Sequence, residues 1–380
     1  MPPPAPPAPA GWEFPFKTSD TGEAWTLAAK PVFAEGHPLL FHEHVFDYAA
    51  NRHTRTVIAA AANAPGEIYV SENMGATFVK AASLSEPPVQ VFTTASGVHI
   101  CFDTANRLCR YDAAWQPLPV SGEPLPEFAW HGSQGIGQRD GVIMFAEYWT
   151  DKARPEGHVW RSRDDGATWE RAFTAHTKAG AGEPWKLVRH LHTLQPDPFR
   201  PGDWYLSSGD APEECHLWLG RDDGGVWLEV NAGGLPMAAA YRYTSLFFEP
   251  DRICWATDGN MGKTGTGFVS IRRGEPVALE SLPGLAVNPA RNLIATDAGF
   301  VMITENKYGR EVPGAGRPGV EVMVISKSGA FTRAAVLPDR NNDGFTYSKG
   351  SRHAVDGVFF TFARSSLPGN MLRWELKQSP

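Results

Sequence analysis

The chain has 380 residues, a formal charge of −7 and no basic run, which excludes the electrostatic footprint of a nucleic-acid binder. Thirty-eight Gly, 32 Pro and 13 Trp with little 3.6-residue patterning exclude a helical bundle and point to short strands joined by tight turns. No apolar stretch reaches the ~18 residues of a membrane span, so no membrane partner is expected.

Residues 1–10, Met-Pro-Pro-Pro-Ala-Pro-Pro-Ala-Pro-Ala, read as a disordered Pro-rich tail, and residues 11–380 as a single domain. The tail has no basic region followed by an apolar core. A cytoplasmic location is therefore expected, or a periplasmic or secreted one if a signal peptide has been removed.

A repeat begins at Ser19-Asp-Thr-Gly22-Glu-Ala-Trp25 and returns as Ser71-Glu-Asn-Met-Gly75-Ala-Thr77-Phe78. Its fullest copy is Ser162-Arg-Asp164-Asp-Gly166-Ala-Thr168-Trp169, followed by Arg221-Asp222-Asp-Gly224-Gly-Val-Trp227. Degenerate copies are Tyr111-Asp112-Ala-Ala-Trp115, Ser270-Ile-Arg-Arg-Gly274 and Ser326-Lys-Ser-Gly329-Ala-Phe331. In each full copy Ser and Asp side chains can bond back to the turn backbone, Gly takes a positive φ, and the aromatic ring packs the hairpin onto its neighbour. The turns at Gly22, Gly75, about Ala113, Gly166, Gly224, Gly274 and Gly329 are spaced by 53, 38, 53, 58, 50 and 55 residues, mostly near the one-seventh of the chain, about 54, expected of one four-stranded blade per interval. Residues 12–30 are expected to complete the blade that the C-terminus begins.

These hairpins resemble the Asp-box of sialidase-like propellers. The resemblance implies an all-β, seven-bladed β-propeller closed by N-terminal strands in the C-terminal blade. It also implies a carbohydrate ligand, because many such propellers act on glycans. The aspartates of the hairpins are structural in that reading. The arginine motif Phe/Tyr-Arg-Ile-Pro of true sialidases is missing, since Trp12-Glu-Phe-Pro15 stands near the N-terminus.

In a propeller the starts of the inner strands and the ends of the second strands meet around the channel. Two His-x-His pairs fall at inner-strand starts, His42 with His44 and His190 with His192; alternation puts each pair on one face of its strand. Their chemistry is proton transfer near neutral pH or metal ligation; the bland alternative is a histidine that satisfies the backbone of a neighbouring blade. The same positions bring Tyr243 and Tyr347 as acids. They also bring His131, Glu147, Asp210, Arg242, Asp258, Arg291, Asn306, Lys349, Arg352 and Arg364 as substrate contacts.

That set contains the parts of a lyase that cleaves a uronic-acid-containing glycan by β-elimination. His190 or His42 would be the base, Arg242 with Arg291 or Arg352 would neutralise the carboxylate, and Tyr243 or Tyr347 would protonate the leaving oxygen. Two alternatives stay open. One is a glycoside hydrolase using two carboxylates from Glu147, Asp210, Asp258 and Glu305; the other is a non-catalytic propeller that binds a glycan or a protein. An anionic glycan is the expected partner.

No cofactor is required. Asp339-Arg-Asn341-Asn-Asp343-Gly344 matches the first half of a calcium loop, although Gly350 stands where the closing Glu belongs and turn chemistry explains the string as well. A His-bound divalent metal is the other metal reading. Gly262-Lys263-Thr264 lacks the earlier glycine of a phosphate loop. Of the four cysteines, Cys101 and Cys109 flank one turn and could pair across strands, with buried free thiols the favoured reading.

Overall fold

The computed structural model describes residues 11–32, 39–61, 64–122, 125–132, 134–149, 155–176, 188, 190–209, 214–230, 245–257, 266–273, 280–286, 290–304, 320–337, 351–362 and 371–379. Two N-terminal strands, β1 (Trp12–Lys17) and β2 (Ala24–Pro31), precede blade 1, which is β3 (Leu39–Asp47), β4 (Arg52–Ala61), β5 (Glu67–Ser71) and β6 (Val79–Ser83). Blade 2 is β7 (Pro88–Thr93), β8 (His99–Asp103), β9 (Leu108–Tyr111) and β10 (Pro117–Leu118). Blade 3 is β11 (Ile136–Arg139), β12 (Val142–Ala146), β13 (Glu156–Ser162) and β14 (Glu170–His176). Blade 4 is β15 (Leu191–Pro196), β16 (Trp204–Ser208), β17 (Leu217–Arg221) and β18 (Val226–Glu229). Blade 5 is β19 (Phe247–Phe248), β20 (Arg252–Ala256), β21 (Thr266–Arg272) and β22 (Glu280–Ala286). Blade 6 is β23 (Ala290–Thr296), β24 (Gly299–Thr304), β25 (Val320–Ile325) and β26 (Phe331–Leu337), and β27 (Val358–Phe362) and β28 (Met371–Gln378) end the chain.

Each blade is an antiparallel four-stranded sheet, and the seven together form a seven-bladed β-propeller. Blade 7 runs β27, β28, β2, β1 from the axis outward, so the termini close the ring through the β2–β28 register that sets Trp25 opposite Gln378. Residues 351–355 run along the axial side of β27, with Ser351 N–H donating to Phe360 C=O at 3.0 Å. The Gly22 hairpin therefore joins β1 and β2, the two outermost strands of its blade, just as the other hairpins of the repeat join the two outermost strands of theirs.

Burial follows from stacking blade on blade. Second strands such as β8 (HICFD), β12 (VIMFA) and β16 (WYLSS) are buried at every position, because both of their faces meet a neighbouring blade. Seven apolar clusters result, one per blade interface, from the cluster of Val57, Phe360 and Met371 between blades 1 and 7 to that of Ile294, Val324 and Trp374 between blades 6 and 7.

The hairpins make the bonds their residues predict. Ser162 Oγ accepts the Gly166 N–H at 2.8 Å, and Asp164 accepts both the N–H and the hydroxyl of Thr168. Trp169 Nε1 donates to Gly166 C=O at 3.0 Å, and Trp227 Nε1 donates to Gly224 C=O at 3.0 Å. Gly22, Gly75, Gly166, Gly224 and Gly329 all have positive φ, while in blade 2 Asp112 caps the turn and Trp115 takes φ 62. Gly274 lies outside the described residues. Cys101 and Cys109 sit directly opposite one another on β8 and β9, and both are free thiols, as are Cys215 and Cys254.

Candidate functional site

At the mouth where inner strands begin, blades 3 and 4 bring four rings together. Tyr148 follows the second strand of blade 3, and its ring lies 4.4 Å from His131 and 4.5 Å from His190. His190 and His192 are 4.8 Å apart, and His131 is 5.6 Å from His192. His190 and His192 are buried at the base of the cluster, while His131 and Tyr148 are half-buried above them.

The backbone around these rings is held firmly. Glu147 is completely buried and accepts the N–H groups of His158 at 3.0 Å and Glu127 at 3.4 Å, so its carboxylate fixes the segment that carries Tyr148. Trp149 packs its indole flat over Gly157, where any Cβ would fall 2.0 Å from the ring. The carbonyl of Trp149 lies 3.1 Å from His190 Nδ1. A carbonyl only accepts, so Nδ1 carries the proton and the lone pair sits on Nε2. An imidazole held through Nδ1 in this way has only Nε2 left for proton exchange, and that atom is itself enclosed.

His44 lies elsewhere. Its Nδ1 bonds Ser351 Oγ at 2.8 Å and its Nε2 bonds Thr54 C=O at 2.9 Å, which joins blade 1 to blade 7. Its ring stacks on His53 at 4.0 Å, and burial lowers its pKa to about 4. His44 therefore does not share the pocket of His190 and His192. Alternation places two residues on one face of a strand, and here that face of β3 meets a neighbouring blade.

Arg352 crosses the axis and is buried. Its guanidinium donates to Gln195 Oε1 and, at 2.8 Å, to Tyr48 Oη, and it lies 4.6 Å over the ring of Phe46. Its own N–H donates to His53 Nε2 at 2.7 Å. Glu43, on the other face of β3 from His44, accepts the N–H and hydroxyl of Thr93 at 2.8 and 2.9 Å. Burial raises its pKa to about 7 against the opposing pull of those bonds and of Arg352. This axial group ties blades 1, 3, 4 and 7 together, because Gln195 also donates to the carbonyls of Gln134 and Ile136.

The other sequence-derived site residues fall at the edge of what is described. The backbones of His42 and Arg291 lie on β3 and β23, but their side chains are outside the described residues. Tyr243, Tyr347, Asp210, Arg242, Asp258, Glu305, Asn306, Lys349 and Arg364 also lie outside them, as does the calcium-loop string Asp339, Asn341 and Asp343. Among the described residues no group of three His, Cys, Asp or Glu side chains converges as metal ligands, the three histidines near Tyr148 included. Sequence reasoning did not single out Tyr148. The signal was its place at the end of a second strand, next to Glu147, in the same mouth as the inner-strand histidines.

No protein-family model matches the chain, and no curated protein sequence matches it. Solved structures do. An oligogalacturonate lyase from Vibrio parahaemolyticus superposes with a TM-score of 0.58 at 11% identity, covering 98% of each chain. An oligogalacturonate lyase in complex with manganese gives 0.56 at 13% identity, covering 99% of this chain and 98% of that one. YCF48 from Cyanidioschyzon merolae gives 0.57 at 10% identity, over 91% of this chain and 98% of its own. At such identities the likeness is one of fold, and the fold is shared by enzymes and non-enzymes.

Proposed function

We propose that this chain is a carbohydrate lyase that cleaves a uronate-containing oligosaccharide by β-elimination, with its chemistry at the His131, Tyr148, His190 and His192 cluster. The observation that carries the reading is the fixed tautomer of His190 beside a tyrosine. β-Elimination removes the proton on the carbon next to the uronate carboxylate. The electron pair of that C–H bond becomes the new C=C bond, the neighbouring C–O bond breaks, and the leaving oxygen takes a proton.

His190 Nε2 is the base in this scheme, and Tyr148, 4.5 Å away ring to ring, is the acid for the leaving oxygen. Arg242 and Arg291 are the arginines assigned to the carboxylate, since Arg352 is engaged with Tyr48 and Gln195. Oligogalacturonate is the first substrate to try, because two structural neighbours carry that activity in their names. One of those is a manganese complex; the described histidines here do not converge on a metal, and no step is routed through one.

Oligogalacturonides incubated with the protein should give a rising ultraviolet absorbance from the conjugated unsaturated product. His190→Ala should slow that rise ~10²–10⁴-fold and Tyr148→Phe ~10²-fold, the range for loss of a general base or acid. His44→Gln should leave the turnover of the folded fraction unchanged. New reducing ends without absorbance would replace the lyase with the two-carboxylate hydrolase; no product from any uronate would leave a binding propeller.

A further inference from the structure

At the opposite end of the strands from the histidine cluster, blades 5 and 6 enclose a cavity of ≈ 450 Å³. Its apolar floor is Phe268, Phe300 and Ile325, with the two phenyl rings 5.5 Å apart. Glu249 and Arg252 form an ion pair on its rim.

The repeat explains why this interface is open. In blades 2, 3, 4 and 7 the hairpin ring wedged toward the preceding blade is Trp115, Trp169, Trp227 and Trp25, and in blade 1 it is Phe78. Blade 4 pairs Gly220 with Trp227 across its hairpin, whereas blade 6 pairs Ile325 with Phe331, a loop one residue shorter. Phe331 is thus a smaller ring on a shorter arm; it packs against the blade 5–6 cluster while partly buried, as Trp227 and Phe78 do at theirs.

The hairpin is also tethered on its far side. Asp20, in the Gly22 hairpin of blade 7, accepts Ser326 Oγ at 2.7 Å and also Ser328 Oγ. Ser19 Oγ donates to Phe331 C=O at 3.1 Å, and its N–H donates to Thr332 Oγ1 at 2.9 Å. Those bonds hold the blade 6 hairpin against blade 7.

We propose that this cavity binds an uncharged, flat aromatic molecule with one N–H or O–H donor, indole being the simplest. Its size lies within the ~300–1,000 Å³ of ligand pockets. The ring would take the place that tryptophan fills elsewhere in the molecule. Its donor would meet Gly329 C=O, as Trp169 and Trp227 meet Gly166 and Gly224. The ligand is uncharged because Glu249 and Arg252 neutralise one another and the exposed Lys327 is solvated at the rim. The site is independent of the lyase reading.

The test is a titration of the intact protein with indole, followed by the ¹³C-methyl signal of Ile325, assigned through Ile325→Val, and by melting temperature. A saturable shift at Ile325 with a Kd of ~1 mM or tighter and a rising Tm is expected. Insertion of Thr after Ala330 together with Phe331→Trp gives this hairpin the Gly-Ala-Thr-Trp end of the blade 3 hairpin and should abolish that shift. Absence of any shift at Ile325 up to the solubility of indole would overturn the site. Tighter binding of benzoate or benzylammonium than of indole would overturn the uncharged class.

Discussion

Lowering the pH from 6.5 to about 4.5 should remove about 5 kcal/mol of folding stability, enough to bring the propeller close to unfolding. Three histidines, His44, His99 and His353, have their pKa lowered to about 4 by burial. His53 is held well below its ordinary range by burial and then by repulsion from His44, Arg352 and His353. A histidine with a depressed folded pKa gives stability that is full above about 6.5 and is lost as pH falls through the folded value, because the unfolded chain takes up the proton first. Glu43 acts in the opposite sense. Its pKa is raised to about 7, so its contribution is complete below the unfolded value near 4.5 and is lost as pH rises through 7. Counting only His44, His99 and His353 against Glu43, acidification over this window gives a net excess of about two protons taken up by the unfolded chain. Each is worth about 1.4 kcal/mol per pH unit. Urea midpoints at several pH values across this window would show it, and Glu43→Gln should steepen the fall by about half. A flat stability between pH 6.5 and 4.5 would mean that these histidines are not enclosed as the structure places them.

The same histidines show where sequence reasoning stops. The ring could be read because its hairpin chemistry is local: Ser162, Asp164, Gly166 and Trp169 satisfy one another within eight residues, and the spacing of such turns counts the blades. Closure could be read because residues 12–30 had strands and no blade of their own. The destination of His44 could not. It depends on Ser351, about 300 residues away in sequence, and on whether a strand face meets the axis or a neighbouring blade. Glu147 was legible as a mouth residue but not as a buried acceptor for two backbone N–H groups. Tyr148 needed the converse step, from the position of a strand end to the histidines of the next blade. Cys101 and Cys109 were correctly placed on neighbouring strands by their turn, and free thiols were the favoured reading.

Asp197→Ala should destabilise the protein by about 3–5 kcal/mol, the effect of leaving a buried cation without its partner. Asp197 follows β15 in blade 4 and is completely buried; Arg273 follows β21 in blade 5 and is 2% exposed, and the two side chains form an ion pair across the blades. Arg273 also donates through Nε to Glu249 C=O at 2.9 Å and lies over the rings of Phe199 and Phe248. Asp197 orders its own turn by accepting the Phe199 N–H at 2.9 Å, and Arg139 of blade 3 donates to its carbonyl. Removal of the carboxylate therefore loosens the turn and leaves the guanidinium under Phe199 without its ion-pair partner. Arg273→Met should be milder, because a thioether fills the same greasy slot and the carboxylate that remains keeps the Phe199 N–H as a donor. In the double variant the charges leave together, so its loss should fall well short of the sum of the singles; the shortfall in a double-mutant cycle measures the coupling. Salt should change little, since neither group faces solvent. Additive losses, or recovery of the difference in 0.5 M salt, would place this pair at the surface and not in the joint between blades 4 and 5.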